Sequence, residues 1–412
     1  MFEQDLKKAI EVRKDVFWVG ALDPNLRIFD IIIPTKFGTS YNSYILKGAE
    51  KTALVDVVKE EFFDEFMDKL NPLTSPQQFD YVIINHAEPD HAGGLTKLYD
   101  LNPNIEVIGT AQAIRFILKV TNRPLKTRIV KESDLLDIGG KTLKFIMAPF
   151  LHWPDTMFTY CPEDKILYTC DAFGCHYCPE QLFSDEQKQP ENYNEAYKYY
   201  FDSIMSPFKS FVIQAVDKID KLPVDMICTG HGPIVRTGID KYLKLYREWA
   251  TVEKHEKPSV VIAYCSAYGY TRMLAVEIAK GITDSGVEAL SFDFSKHTID
   301  EIAEKAGSAS GILIGSPTFL GDALPPVWEL LSRLNPIIHK GKIAGAFGAY
   351  GWSGEAVQNI EQRFSQLRLK IPVEGLKVIF HPNEAELKKA YEFGKKFGAE
   401  ILTTTPAVRF CK

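Results

Sequence analysis

The sequence predicts an α/β protein built from two domains, at residues 1–253 and 254–412. Three observations lead to this prediction. A chain of 412 residues exceeds what one hydrophobic core usually supports. The helix-like stretch IDKYLKLYREWA is followed by the polar stretch ATVEKHEKPS at 250–259, which separates two differently patterned halves. In both halves short apolar runs alternate with helical patterns, so we expect sheets covered by helices.

The pattern of the first half predicts mixed layers of strands and helices. The segment MFTYCPEDKILYTCD is typical of a hairpin whose turn lies at residues 162–165. One long helix is predicted over 195–222, and the run VDMIC after it is one more strand. The other predicted strands lie at 28–33, 53–57, 81–84, 105–108 and 143–147.

The second half has a more regular pattern. Predicted strands at 260–264, 289–292, 312–314 and 343–347, with a weaker one at 377–380, alternate with helices at 271–284, 325–334, 354–367 and 384–402. Five strands that alternate with helices are typical of a doubly wound parallel sheet.

Composition excludes several classes of function. The formal net charge of -6 is spread over mixed signs without a long basic run, which argues against nucleic-acid binding. No stretch is long and apolar enough for a membrane span, and the first residues lack the apolar core of a signal peptide. The seven cysteines lack paired zinc-ribbon spacing and are expected to be reduced thiols in a cytoplasmic protein. Cys175 and Cys178 match a C-x-x-C pattern, for which ordinary loop and core thiols are the favoured interpretation.

Potential metal ligands crowd the stretch NHAEPDH, directly after a predicted strand. This stretch contributes His86, Glu88, Asp90 and His91, and other predicted strand ends contribute His152, Asp171 and His231. α/β folds commonly place their chemistry at these strand ends. Buried acidic groups this close would repel one another without a cation, although a solvated acidic loop is the alternative for the first stretch. Four imidazoles and three carboxylates suffice for two adjacent metal ions with a bridging carboxylate.

The remaining histidines and two tyrosines have no such context. We expect structural or surface roles for His176, His255, His297, His339 and His381. Tyr199 and Tyr200 lie on the predicted long helix, where core packing is favoured over an approach to the metals.

In the second half, the strand VVIAYC runs into SAYGYT at the start of a predicted helix. Hydroxyls and backbone N–H groups at a helix N-terminus bind phosphate, and this loop resembles the phosphate loop of flavodoxins. The loops GSPTFLGD and GAYGWSGEA follow the third and fourth strands, where flavodoxin-like folds hold the flavin ring. Because no G-x-G-x-x-G follows a strand, FMN is preferred over a nicotinamide dinucleotide. The predicted FMN-binding residues are Ser266, Ala267, Tyr268, Gly269, Tyr270, Thr271, Ser316, Pro317, Thr318, Phe319, Gly321, Ala349, Tyr350, Gly351, Trp352, Ser353 and Gly354.

The motifs NHAEPDHAGGL, FLHWPDTMFTY, TCDAFG and TGHGPI resemble the successive metal motifs of flavodiiron proteins, and the resemblance covers nearly the whole chain. It implies a metallo-β-lactamase-like αββα domain followed by a flavodoxin-like domain. It also implies a diiron centre in which one iron is held by His86, Glu88 and His152, the other by Asp90, His91 and His231, and Asp171 bridges them. Hydrolases of the first fold carry histidine at the position of Glu88 and use zinc. Glutamate is a hard oxygen donor that suits iron.

The function implied by this resemblance is an oxidase that reduces O₂ to water with electrons passed through FMN. Nitric oxide reduction with the same cofactors is the close alternative. A zinc hydrolase with a flavodoxin-like domain is less expected, and a gas or redox sensor without turnover is the third possibility.

The electron donor implied by the resemblance is reduced coenzyme F420 or rubredoxin. The chain has neither a rubredoxin-like pair of C-x-x-C motifs nor a second flavin domain, so we expect an external donor. The segments CSAYGYTR and FGCHYC resemble the F420H2 oxidase branch, and the family implies an anaerobic host. A domain of about 250 residues is roughly 45 Å across, so transfer within one chain is expected to be slow. The resemblance therefore implies a head-to-tail homodimer or a dimer of dimers.

Overall fold

The computed structural model describes residues 5–251 and 257–404, and the chain divides into two compact units after Thr251. The predicted boundary between residues 253 and 254 lies outside the described residues. Each unit is an αβ structure with its own sheets and cores. No helix in the described parts of the chain is both long and apolar enough to cross a membrane.

The first unit contains two large sheets and two small ones. The seven-stranded sheet has the order β1-β2-β7-β8-β9-β10-β11, and the five-stranded sheet has the order β12-β13-β14-β15-β16. Strands β3 and β6 pair with each other, as do β4 and β5. The strands are β1 (Ile10–Arg13), β2 (Val16–Trp18), β3 (Ala21–Asp23), β4 (Ile28–Phe29), β5 (Ile33–Pro34), β6 (Thr39–Tyr41), β7 (Tyr44–Lys47), β8 (Thr52–Val55), β9 (Tyr81–Ile83), β10 (Glu106–Gly109), β11 (Thr127–Ile129), β12 (Leu135–Asp137), β13 (Thr142–Met147), β14 (Met157–Cys161), β15 (Ile166–Cys170) and β16 (Met226–Thr229).

Alternate side chains along the strands of the first unit point to opposite faces of the sheet, so each large sheet packs on the other sheet and on a layer of helices. In β7, Tyr44 and Leu46 enter the core between the two large sheets, whereas Ile45 faces the helices on the other side. The helices of this unit are α1 (Phe63–Leu70), α2 (Pro89–Ala92), α3 (Leu95–Leu101), α4 (Ala111–Thr121), α5 (Pro190–Tyr200), α6 (Lys209–Ile219) and α7 (Ile239–Ala250). Helices α1, α3 and α4 pack on the seven-stranded sheet, and α5, α6 and α7 pack on the five-stranded sheet. This αββα arrangement confirms the predicted fold class.

Two predicted elements of the first unit were wrong. The strand predicted over 28–33 is a hairpin of β4 and β5, because Asp30 and Ile31 have φ angles of 47° and 67°, which cannot continue a strand. The helix predicted over 195–222 is interrupted between α5 and α6 by a π turn (Phe201–Met205) and a 3₁₀ turn (Ser206–Phe208). Pro207 explains the break, since it lacks an N–H and its ring clashes with a helical carbonyl.

The second unit is a single parallel sheet with helices on both faces. Its strand order is β18-β17-β19-β20-β21, and all neighbours are parallel. This is the flavodoxin-like order. The strands are β17 (Ser259–Tyr264), β18 (Glu288–Asp293), β19 (Gly311–Gly315), β20 (Ile343–Tyr350) and β21 (Leu376–Ile379). The helices are α8 (Tyr270–Asp284), α9 (Ile299–Ser308), α10 (Pro325–Arg333), α11 (Pro336–His339), α12 (Glu355–Gln366) and α13 (Glu384–Thr404). Of these, α9 and the short α11 were not predicted.

Candidate functional site

The loop after β9 is shaped to present several side chains to one point. Pro89 begins α2, so the loop turns directly after Glu88. A side chain at Gly93 would meet the carbonyl of Pro89, which explains why glycine follows this helix. The backbone N–H of Asn85 donates to Asp56 at 2.7 Å and anchors the start of the loop.

All seven residues predicted as metal ligands lie together in the first unit. In one group Oε2 of Glu88 lies 3.0 Å from Nε2 of His86 and 3.1 Å from Nε2 of His152. In the other group Oδ2 of Asp90 lies 3.1 Å from Nε2 of His231 and 3.4 Å from Nε2 of His91.

Asp171 lies between the two groups and presents one oxygen to each. Its Oδ1 is 3.0 Å from Nε2 of His91 and 3.5 Å from Nε2 of His231. Its Oδ2 is 3.4 Å from Nε2 of both His86 and His152. This is the geometry that a carboxylate needs to bridge two adjacent cations.

The donor atoms of this cluster fit a pair of cations. Asp90 and Asp171 are buried, yet both carboxylate oxygens of Asp90 and Oδ2 of Asp171 have no hydrogen-bond partner among the described residues. Nε2 of His231 is also unpartnered. Such atoms are costly to bury without a partner. A bound metal ion would satisfy imidazoles and carboxylates together.

The carboxylates and imidazoles of the cluster shift one another's pKa values. Burial alone would raise the pKa of Asp171, but His91 and His152 hold that pKa well below its ordinary value. Burial likewise opposes a charge on His91, yet Asp90 and Asp171 raise the pKa of His91 to about 9. Protonated imidazoles therefore offset the carboxylates when no cation does, so protons and metal ions compete for the same atoms.

Several residues that the sequence did not predict orient the ligands. Oδ2 of Asp155 accepts from the backbone N–H of Ala87 at 2.7 Å and lies 3.2 Å from Nδ1 of His86. The hydroxyl of Tyr200 donates to Oδ1 of Asp171. Tyr199, in contrast, is 42% exposed. Asp155 could have been found from its place in HWPD, three residues after His152.

Hydrogen bonds hold the His231 loop against β6 and the residue that follows it. The carbonyl oxygen of Ser40 accepts from Nδ1 of His231 at 2.7 Å, which leaves Nε2 to face the cluster. The side-chain N–H of Asn42 donates to the carbonyl oxygens of Thr229 and Gly232, on either side of His231. Nothing in the local sequence signals these contacts, because about 190 residues separate the partners along the chain.

His176, predicted to be structural or a surface residue, is buried beside the cluster. Its ring lies 4.9 Å from the rings of both His231 and Tyr200. Burial, with His231 next to it, lowers the pKa of His176 well below its ordinary value, so the ring is neutral.

The thiols of the C-x-x-C pattern are free. Burial raises the pKa of Cys178 to about 12 and raises that of Cys175 further, so both are protonated at neutral pH. These values fit ordinary loop and core thiols, as the sequence predicted. Cys411 lies outside the described residues.

A cavity of about 360 Å³ lies at the carboxyl ends of the strands in the second unit. Most of the predicted FMN-binding residues line it: Ser266, Ala267, Tyr268, Tyr270, Thr271, Pro317, Thr318, Phe319, Gly321, Ala349, Tyr350, Gly351 and Trp352. Leu320 and Phe380 line it as well and were not predicted.

Four predicted FMN-binding residues do not line this cavity. Gly269 and Gly354 precede α8 and α12 with φ angles of 85° and 80°, so they shape its loops. The hydroxyl of Ser316 is buried and accepts from the N–H of Leu324. The hydroxyl of Ser353 donates to Glu355.

Comparisons with known proteins agree with both units. A family model described as ODP family beta lactamase matches residues 39–232, and the flavodoxin model matches residues 262–394. Flavo-diiron protein FprA2 of Clostridium acetobutylicum is 43% identical over 95% of this chain and 100% of its own length. Type A flavoprotein fprA of Rhodobacter capsulatus is 38% identical, over 97% of this chain and 93% of the relative.

The chain belongs to the flavodiiron protein family. As a flavodiiron protein it is an oxidoreductase, and the family implies FMN in the second unit and a diiron centre in the first. The solved structure of rubredoxin oxygen:oxidoreductase from Desulfovibrio gigas is 27% identical, with a TM-score of 0.67 over 96% of this chain and 99% of that one. Anaerobic nitric oxide reductase flavorubredoxin of Aliivibrio salmonicida is 37% identical over 96% of this flavodiiron protein and 81% of the relative.

Proposed function

We propose that this flavodiiron protein reduces O₂ to water with electrons passed through FMN from an external donor. The main support for this proposal is the cluster itself, in which Asp171 presents one oxygen to each of two imidazole–carboxylate groups. When bound, two ferrous ions and one reduced flavin together supply the four electrons that the reduction of O₂ to two waters requires.

We propose that the residues of the cluster act as the sequence suggested. His86, Glu88 and His152 hold one metal ion, Asp90, His91 and His231 hold the other, and Asp171 bridges them. Three carboxylates make the donor set rich in hard oxygen, which supports iron over zinc. Asp155 and the carbonyl of Ser40 fix which ring nitrogen of His86 and His231 faces the metals.

The aromatic and hydroxyl-bearing loops of the second unit are proposed to hold FMN. Ser266 lies in the loop before α8 and Thr271 in its first turn, where hydroxyls and the helix N-terminus favour a phosphate. Tyr350 and Trp352 line the same cavity and offer flat surfaces for the flavin ring.

Reduced coenzyme F420 or rubredoxin is the proposed donor. A rubredoxin donor is supported by the name of the Desulfovibrio gigas protein. We also propose a head-to-tail homodimer or dimer of dimers, which would bring the flavin of one chain to the metals of another. A cytoplasmic location suits the free thiols of the described residues.

The test is O₂ consumption by the iron- and FMN-loaded protein, mixed with each reduced donor under limiting oxygen. We expect rapid consumption with one donor and water as the product. A negligible rate with O₂ beside a fast rate with nitric oxide would overturn the oxidase proposal.

Nitric oxide reduction is the second candidate, supported by relatives that carry this activity in their names. Two molecules of nitric oxide, two electrons and two protons give nitrous oxide and water, so the same cofactors suffice. Anaerobic assays with nitric oxide, in which nitrous oxide is measured directly, separate the two candidates.

A further inference from the structure

A cavity of about 270 Å³ in the first unit lies beside the metal cluster, and the proposed function assigns it no role. It lies between the segment that follows β5, helix α5 and His176. The lining residues that matter here are Thr35, Lys36, His176, Glu195, Ala196 and Tyr199.

Two lining residues carry buried polar atoms without a partner. Thr35 is 3% exposed and His176 is 5% exposed. Oγ1 of Thr35 and Nε2 of His176 have no hydrogen-bond partner among the described residues. A cavity of this size with two such atoms can hold water or another small molecule.

His176 belongs both to the wall of this cavity and to the surroundings of the metal cluster. Its ring lies 4.9 Å from that of His231 and 4.3 Å from that of Phe29. Oγ1 of Thr39 lies 3.2 Å from Nδ1 of His176. The Thr39 hydroxyl donates to the carbonyl oxygen of Ser40 at 3.3 Å, so its oxygen can accept from Nδ1 of His176. The ring of His176 would therefore give up a single hydrogen bond on turning.

The other end of the cavity reaches solvent. There Nζ of Lys36 and Oε1 of Glu195 form an ion pair at 3.0 Å, with side chains that are 66% and 54% exposed. Tyr199 beside them is 42% exposed. Exposed ion pairs hold their partners weakly, so this mouth is easily opened.

We infer that this cavity is the path by which the small diatomic reactant reaches the His231 side of the cluster, with His176 as its movable inner wall. The inference rests on the proposed function, since it needs a diatomic gas as reactant. A neutral diatomic molecule requires no charged recognition site, and the mixed lining of aromatic, methyl and hydroxyl groups fits it. Product water that leaves by the same path would form hydrogen bonds with Oγ1 of Thr35 and Nε2 of His176, the two unpartnered polar atoms.

Two substitutions block the path at different depths. Glu195→Trp places a large side chain at the mouth, and Ala196→Phe fills the interior from α5. The matched control is Glu191→Trp, because Glu191 is also exposed, lies one turn earlier on α5, and is not among the lining residues.

The experiment is stopped-flow reoxidation of the fully reduced, iron- and FMN-loaded protein at several O₂ concentrations, repeated with nitric oxide. We expect both blocking variants to lower the second-order rate constant roughly threefold or more, with the control unchanged. Iron and FMN content, measured on the same samples, must match the wild type. If Ala196→Phe does not load, Glu195→Trp decides alone, because its site is on the surface.

Two results would overturn the inference. Loaded blocking variants that react as fast as the wild type overturn it and leave the proposed function intact. A loaded wild-type protein that reacts with neither gas overturns the proposed function and the inference together.

Discussion

The hydroxyl of Tyr200 donates a hydrogen bond of 2.9 Å to Oδ1 of Asp171, the oxygen that also faces His91. Both residues are buried. Burial, and then the neighbouring carboxylate, raise the pKa of Tyr200 well above its ordinary value, so the hydroxyl keeps its proton. The bond therefore fixes how Asp171 divides its oxygens between the two metal positions.

Tyr200→Phe removes this donor and little else. We expect turnover to fall roughly tenfold with the metals still bound, as for other residues that orient ligands. Tyr197→Phe is the matched control, because Tyr197 is buried on the same helix and its hydroxyl has no partner among the described residues. Equal rates in the two variants, at equal iron content, would contradict the role given to Tyr200.

Asp155 orients His86 through the ring nitrogen that faces away from the cluster. Asp155→Ala also leaves the N–H of Ala87 without its acceptor, so we expect metal affinity to fall roughly ten- to a hundredfold. Asp155→Asn keeps an acceptor oxygen and is expected to recover much of that loss. Iron titration of the metal-free protein measures both, and similar affinities for the Ala variant and the wild type would disprove the assignment.

Asn42, directly after β6, stabilises the His231 loop. Its side chain accepts from Nε1 of Trp18 at 2.9 Å and donates to the carbonyls of Thr229 and Gly232. Asn42→Ala leaves buried groups unpaired, so we expect the free energy of unfolding to drop by about 2 to 4 kcal/mol. Chemical denaturation measures this, with the exposed Asn25→Ala as a control that is expected to change little.

The hydroxyl of Ser266 accepts from the N–H of Arg272 at 3.2 Å and lines the cavity proposed for FMN. Ser266→Ala removes a hydrogen-bonding group from the predicted phosphate loop, and we expect FMN to bind roughly tenfold more weakly. Quenching of flavin fluorescence on titration measures the Kd. Ser332→Ala, on α10 and away from the lining, is the control.

The sequence predicted what is local and missed what is distant. The ligands from His86 to His91 lie in one short segment, and His152, Asp171 and His231 each follow a strand, so the strand pattern and the ligand motifs were enough to predict them. The hydrogen bonds from Asn42 to Thr229 and Gly232 join segments that are far apart in the chain, and no local pattern predicts them. His176 lies in a loop without strand context, and its neighbour Phe29 comes from a hairpin that the prediction read as one strand.

Pro207 lies inside the helix predicted over 195–222, which the structure divides into α5 and α6. Helical packing of α5 and α6 against the same sheet is satisfied without a continuous helix, since each contributes its own buried face. The break also ends α5 at Tyr200, the residue that reaches Asp171.

Glu88 is the residue that should decide which metal the cluster prefers. Its carboxylate faces His86 and His152 at 3.0 and 3.1 Å, and His86 and His152 hold the pKa of Glu88 below its ordinary value although burial opposes this. Glu88→His replaces a hard, anionic oxygen with a nitrogen, so the donor set comes to resemble that of zinc hydrolases. We expect the ratio of zinc to iron to rise in protein loaded from an equal mixture of the two metals, with elemental analysis as the measurement. Glu88→Asp keeps the oxygen donor and is expected to keep the ratio of zinc to iron that the wild type shows. If Glu88→His and the wild type load with the same ratio of zinc to iron, the role given to Glu88 in metal preference is wrong.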